Sequence, residues 1–304
     1  MTDVEALRSI GPEPAGGGGT TAWWRRPPAA VRRYGMLSFG ATVVAAFLAV
    51  ALFGPFLTDP SGREISRHRL VPPGWAHPFG TDHLGRDGLA MFVEGARVSI
   101  LVGVVATVFS FMVGVVMGAV AGYVGGWVDH VVMRFTEIAM VIPRFFLAVI
   151  VVSFLGRSLL WVILVIGGLG WMVIAQITRV QFLSLRTREF VEASRAHGAR
   201  TSRIIVRTIL PNALPTVMTY TALQVAVAML LEAYLSFLGM GDPGFGSWGL
   251  QLRFAQDHLA SWWMAVFPGL GLLLVVLGTN LLGEGLNELS DPMRTARRFT
   301  LPPG

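Results

Sequence analysis

Three sets of residues in this chain carry groups that could do chemistry. His68, His77 and His83 fall in one short segment and raise the question of a metal site. Their spacings, nine and six, match no zinc-ligand pattern, so they read as solvated or packing histidines. Asp82, Arg86 and Asp87 lie among turn glycines and read as a local ion pair that locks a loop. Glu137, Arg144, Glu232 and Glu284 sit in or beside apolar runs, where ionisable groups are costly and mark functional positions. Glu137 and Arg144 are seven apart, about two helical turns, so they could share a stripe. None of the four forms a carboxylate–histidine chain of the kind that relays protons. Gly246-Ser247-Trp248-Gly249 lacks the spacing of a nucleophile elbow, and there is no His-Glu-x-x-His. Cysteine is absent and all 24 basic residues are arginine. That removes disulfides, thiol nucleophiles, Cys-ligated zinc, a Walker A lysine and Schiff-base chemistry. If ATP drives this protein, a P-loop on another chain must hydrolyse it.

The elements around these residues are set by composition. The 304 residues are 53% hydrophobic and 14% charged, against about 25% charged in a soluble domain. Mean hydropathy is +0.61. Six apolar stretches run over 35–57, 99–123, 138–155, 159–180, 214–238 and 264–282. A bilayer core of ~30 Å takes about 20 helical residues, and helices satisfy their own backbone there. The first stretch is too long and too far along the chain for a signal peptide. Ahead of it, residues 1–33 hold four consecutive glycines, four prolines and no apolar period, which predicts a disordered tail. Within that tail, Trp23-Trp24-Arg25-Arg26 suits the headgroup layer.

Charge placement gives the orientation. The net charge of +6 lies in short segments flanking the apolar spans, a pattern of membrane topology rather than nucleic-acid binding. With the N-terminus in the cytoplasm, sixteen arginines fall inside and seven outside, leaving aside Arg144 within the third stretch. Both termini are therefore expected inside, with 58–98 as the first outer loop. On the second stretch, Gly114-x-x-x-Gly118-x-x-x-Gly122 allows another helix backbone to approach closely.

The loop 181–213 is the most informative segment. Glu189-Phe190-Val191-Glu192-Ala193-Ser194-Arg195-Ala196-His197 predicts a short amphipathic helix with Phe190, Ala193 and His197 near one face. Gly198 stands where a left-handed cap is wanted. Thr201 or Ser202 would cap a second helix over 203–210, which Pro211 would stop. Pro215 falls near the start of the fifth stretch. The whole is a compact knob able to pass a rigid-body push into the fifth helix.

Glu192-Ala193-Ser194, three residues, Gly198, then Leu210-Pro211 resembles the EAA loop of ABC importer permeases. The chain departs from that pattern at Ser194, where the family has a second alanine, and at Thr208, where it has isoleucine. The run Gly80-Thr81-Asp82, Gly85-Arg86-Asp87 in the outer loop is similar to the C-type permease of dipeptide and oligopeptide importers. So are Glu232-Ala233-Tyr234-Leu235-Ser236-Phe237-Leu238-Gly239, Ser247-Trp248-Gly249 and Glu288-Leu289-Ser290-Asp291-Pro292. The nickel-permease branch shares most of these motifs.

The resemblance implies an all-α polytopic membrane protein of the bacterial inner membrane, with six transmembrane helices, the type I ABC importer permease fold. Residues 34–96 would form the first helix and outer loop, 97–288 the ABC transmembrane domain and 289–304 a cytoplasmic tail. Phe190, Glu192, Ala193, Ser194, Gly198, Leu210 and Pro211 would couple to the ATPase, with Phe190 and Ala193 buried at that contact. The implied partners are a second homologous permease, two ABC ATPase subunits that bind ATP and Mg, an extracytoplasmic peptide-binding protein, the peptide and membrane lipid. No cofactor, metal or nucleic acid is expected in this chain, and it would be a non-catalytic subunit. The alternatives are a permease for nickel or another small solute, or an ion-coupled secondary carrier.

Overall fold

A computed structural model describes residues 29–58, 62 and 64–290. The Trp23-Trp24-Arg25-Arg26 run, most of the expected tail and Asp291-Pro292 lie outside the described residues. Within them the architecture is helical, apart from one isolated antiparallel bridge between Thr81 and Asp87. The order is α1 (Ala29–Leu57), α2 (Gly88–Val124), α3 (Gly126–Val141), α4 (Arg144–Leu155), α5 (Leu159–Leu185) and α6 (Glu189–Ala196). Then come α7 (Thr201–Arg203), a π-helical stretch (Ile204–Ile209), α8 (Leu210–Phe237), α9 (Trp248–Gln256) and α10 (Trp263–Ser290). Among the described residues five helices are long and apolar enough to cross a membrane; the bent pair α3–α4 passes the same test only when taken together, and counted as one span it gives six.

Three expectations need correction. The third apolar stretch is not one straight helix: it breaks at Ile142-Pro143, where α3 and α4 meet at 85°. The proline ring pushes Ile142 out of the helical region, to φ −79° and ψ 123°. This break also separates Glu137 from Arg144, so they share no stripe. Glu137 pairs instead with Arg134 at 3.2 Å on the surface, and Arg144 opens α4. Second, α2 starts eleven residues before the apolar run, because the Asp87 carboxylate caps it. Its Oδ1 accepts from the N–H groups of Leu89 (2.9 Å) and Ala90 (3.0 Å). Third, the connection after the fifth stretch contains a further helix, α9, capped by Ser247.

At 37 residues α2 is about 55 Å long and overreaches the bilayer. The 58–87 loop sits at its N-terminal end, hereafter upper, and α6 and α7 at its C-terminal end, hereafter lower. The glycine stripe of α2 lies on α5. A Cβ on Gly114 would stand 2.7 Å from Ile174 Cβ, one on Gly118 2.7 Å from Thr178 Cβ, and one on Gly122 2.7 Å from Phe182 Cβ. The hydroxyl of Ser110 extends the seam by donating to Gly167 O at 2.8 Å. Higher up, Val98, Val102 and Ala106 of α2 pack with Val152 of α4, Val162 and Ile166 of α5 and Leu235 of α8.

Candidate functional site

The lower end carries the loop singled out by its sequence. α6 begins after an extended Arg188, with Glu189 and Glu192 in its first turn and Arg195 in its last, each on the side the helix dipole favours. It ends at His197, and Gly198 takes φ +74°. The N–H of Ala199 bonds to Ser194 O at 3.1 Å and that of Gly198 to Arg195 O at 2.9 Å. This pair of bonds is a Schellman closure, which a Cβ at position 198 would strain.

One side chain holds α6 to the bundle. Val191 is fully buried among Phe182 of α5, Ile204 and Ile209 of the π stretch and Ala213 of α8. Sequence reading missed it, because one turn away on its own face Val191 has only Thr187, Arg188, Ser194 and Arg195 and no apolar residue. Phe190, Ala193 and His197, the expected face, point away from the bundle. Phe190 is 41% exposed, and Glu192, Ala193 and Gly198 are exposed with it. Arg195 places its guanidinium 6.0 Å from the ring centre of Tyr123 at the end of α2. The knob is therefore anchored inward by Val191 and open outward along Phe190, Ala193 and Gly198.

The second half of the lever differs from expectation. Thr201 and Ser202 do not cap it; Arg200 holds the cap position without a side-chain bond. Nor does Pro211 stop it. The chain runs on as a continuous helical element from Thr201 to Phe237. In an α-helix the Pro211 ring would strike the carbonyl of Arg207, four residues back. The π stretch just before it relieves this, with the N–H of Leu210 reaching back five residues to Ile205 O. Asn212 then donates its side-chain amide to Thr208 O at 2.7 Å. Leu210 is half-buried and Pro211 exposed at this joint. The joint is thus a widened turn in one rod rather than a break between two.

Two arginines brace the same end. Arg186 donates to Gly122 O (3.1 Å) and Tyr123 O (3.3 Å), the last carbonyls of α2. Arg179 of α5 holds Asp129 of α3 in a two-pronged pair. Sequence reading missed that pair, since its members are fifty residues apart and only folding joins them.

At the upper end the Gly80-to-Asp87 motif is drawn together as a lock. Gly80 and Gly85 take φ +69° and +81°. Thr81 is buried; its hydroxyl donates to His68 O (2.6 Å) and accepts from Val71 N–H (2.8 Å). Asp82 accepts from the N–H groups of Leu84 and Arg86 and pairs with the Arg86 guanidinium at 2.6 Å. Trp263, at the start of α10, donates its indole N–H to Thr81 O at 3.0 Å.

The three histidines go to separate places. His77 meets Asp87 at 2.8 Å, His68 is exposed, and His83 stacks on His258 and meets the Phe254 ring at a tilt. Burial lowers the pKa of His83, with Asp82 opposing and Arg86 and His258 reinforcing the shift. Among the described residues no group of three is arranged to hold a metal ion. Glu284 is exposed, and Glu232 is buried on α8 among serines.

The sequence pattern of the binding-protein-dependent transport system inner membrane component matches residues 114–295. A Brucella suis biovar 1 protein, provisionally named a peptide permease, is 41% identical over 259 residues, covering 84% of this chain and 86% of its own. The dipeptide transport system permease protein DppC of Bacillus subtilis is 35% identical, over 83% and 80%. The oligopeptide transport system permease protein OppC of the same organism is 32% identical, over 83% and 84%. With an all-helical polytopic architecture, a glycine-ended knob at the foot of its fifth span and these matches, the chain belongs to the family of inner-membrane components of binding-protein-dependent transport systems, the ABC importer permeases.

Proposed function

We propose that this chain is one of two permease subunits of an ATP-driven importer of short peptides. The names of its relatives and the outer-loop motif around Gly80 to Asp87 support the peptide reading. A second homologous permease completes the pathway, because six spans enclose little space. Two ATPase subunits, which bind the ATP and Mg, sit under α6, and a peptide-binding protein sits over the 58–87 loop. Both termini lie in the cytoplasm of a bacterial cell, as the arginine distribution favours. The subunit itself performs no chemistry.

The observation that carries this reading is the construction of α6. Val191 ties it to α5, the π stretch and α8, while Phe190, Glu192, Ala193 and Gly198 face outward and Ser194 is half-buried beside them. Phe190 and Ala193 enter a groove of the ATPase, with nearby arginines as the charged rim. ATP binding draws the two ATPase subunits together and α6 moves with them. The push passes through the joint at Leu210-Pro211 into α8, and the pathway opens outward; hydrolysis resets it. Selection among peptides lies with the binding protein.

Purification of the chain from its native membrane tests this. Co-isolation of two ATPases and a second permease, with ATP-dependent uptake of a labelled dipeptide into proteoliposomes, is the expected result. A chain that arrives without ATPases is a carrier or scaffold. ATP-dependent uptake of nickel but not dipeptide replaces the substrate and keeps the mechanism.

A further inference from the structure

Glu232 lies on α8, five residues before its upper end, and is 2% exposed. Its Oε1 accepts from the hydroxyl of Ser236 at 2.6 Å, one turn along the same helix. Its Oε2 accepts from the hydroxyl of Ser99 on α2 at 3.1 Å. The Ser99 oxygen also accepts the backbone N–H of Trp248, the first residue of α9, at 3.4 Å. Ser247, which caps α9, lines the same small space. The partners are hydroxyls on α8 and α2 rather than a cation, and the Trp248 N–H ties α9 to the second of them. Val98, Leu159 and Val162 line the space beside them.

The same three elements touch elsewhere. A Cβ on Gly103 of α2 would collide with the Met229 side chain of α8, and one on Gly249 of α9 with the Ala233 backbone. From α9, Trp248 donates its indole N–H to Phe92 O (3.0 Å) and Gln251 its amide to Met91 O (2.6 Å), both on α2.

We propose that Glu232 is a positioning residue: it bolts the upper ends of α2, α8 and α9 into one leaf, which the importer moves as a unit. The proposal rests on the importer reading above. Ser236 travels with Glu232 on its own helix, but Ser99 does not. If α8 tilted alone, the Ser99 donor would leave and strip Oε2 of its bond in a buried site, an expensive state at membrane depth. The bond therefore persists through the cycle, and α2 follows α8.

The absence of cysteine makes a direct test available, because an introduced pair supplies the only thiols of this subunit. Gly103→Cys with Met229→Cys, in the assembled importer in proteoliposomes, is oxidised across the α2–α8 contact. Dipeptide uptake within about twofold of the reduced form is expected, since the helices do not separate. Uptake abolished by oxidation and restored by reduction overturns the bolt. A second arm reads peptide taken up per ATP hydrolysed. Ser99→Ala and Glu232→Ala lower this ratio several-fold with ATPase activity retained, whereas Glu232→Gln, whose amide oxygen still accepts from Ser99, stays near the parent ratio. A role in folding alone would lower the yield of complex and leave the ratio unmoved, and an unmoved ratio overturns the proposal. If the unmodified complex takes up neither dipeptide nor nickel, the importer reading falls and the bolt with it; a loss confined to the oxidised variant removes the bolt alone.

Discussion

Arg179 grips Asp129 with two parallel bonds, Nε to Oδ1 at 2.5 Å and Nη2 to Oδ2 at 2.6 Å, across fifty residues of sequence. The pair fastens α3 to the lower half of α5. It acts at the first turn of α3, upstream of the 85° break at Pro143.

Asp129→Asn should therefore loosen the lower end without unfolding the bundle. A planar guanidinium matched to both oxygens contributes about 2 kcal/mol as a charge-assisted pair. A lower thermal midpoint of the purified complex is expected. Arg179→Lys should lose most of the same stability, because an ammonium cannot make the second prong. A midpoint unchanged in both variants would show the pair to be idle.

Gly198 separates backbone need from docking need. At φ +74° a residue with a Cβ costs roughly 1 kcal/mol or more, and asparagine tolerates the conformation best. Among the described residues, nothing beyond its immediate chain neighbours lies within 4 Å of the added Cβ, so bulk there is left for a partner to meet. Gly198→Trp is expected to reach the membrane normally, bind ATPase subunits poorly in co-purification and lose uptake. Gly198→Asn should keep docking. Glu192→Arg, on the same exposed face, should resemble the tryptophan variant; unaffected uptake in it would count against the coupling role.

The glycine seam should be intolerant of volume. Gly118 faces Thr178 so closely that a valine forces α2 and α5 apart, at a cost of about 3 kcal/mol. Membrane extracts should show a sharp fall in assembled complex for Gly118→Val. The same substitution at Gly168, where the added Cβ meets nothing within 4 Å, should be mild by the same assay.

His83 should make the upper loop acid-sensitive. Burial favours its neutral form, so the folded pKa lies below the unfolded value of about 6.5. The stabilisation is present above that unfolded value and is lost as pH falls through it, when the unfolded chain takes up the proton more readily. Between pH 7.5 and 5.5 the loop around Thr81 should grow more susceptible to proteolysis. In His83→Gln this increase should shrink; an equal increase in that variant would place the sensitivity elsewhere.

Much of the architecture was legible in the sequence because its causes are local. A run of about twenty apolar residues must span as helix whatever surrounds it. Gly198 had to end a helix because the preceding eight residues make one and only glycine closes it cheaply. The third stretch misled, since apolar length says nothing of direction and the Ile142-Pro143 break fell inside it. The lever misled too: Pro211 read as a stop, yet a π turn upstream absorbs its ring.

The sequence by itself determined membrane residence, the apolar stretches, the glycine-ended knob and the absence of thiol or lysine chemistry. These follow from residue type and from spacing within a few turns. Tertiary structure alone decided that Val191 is the anchor of the knob, that α5 is the partner of the glycine stripe, and that Asp129 meets Arg179 and Glu232 meets Ser99. In each case the deciding energy is burial or pairing between residues far apart in the chain, and such energy exists only once the helices have packed.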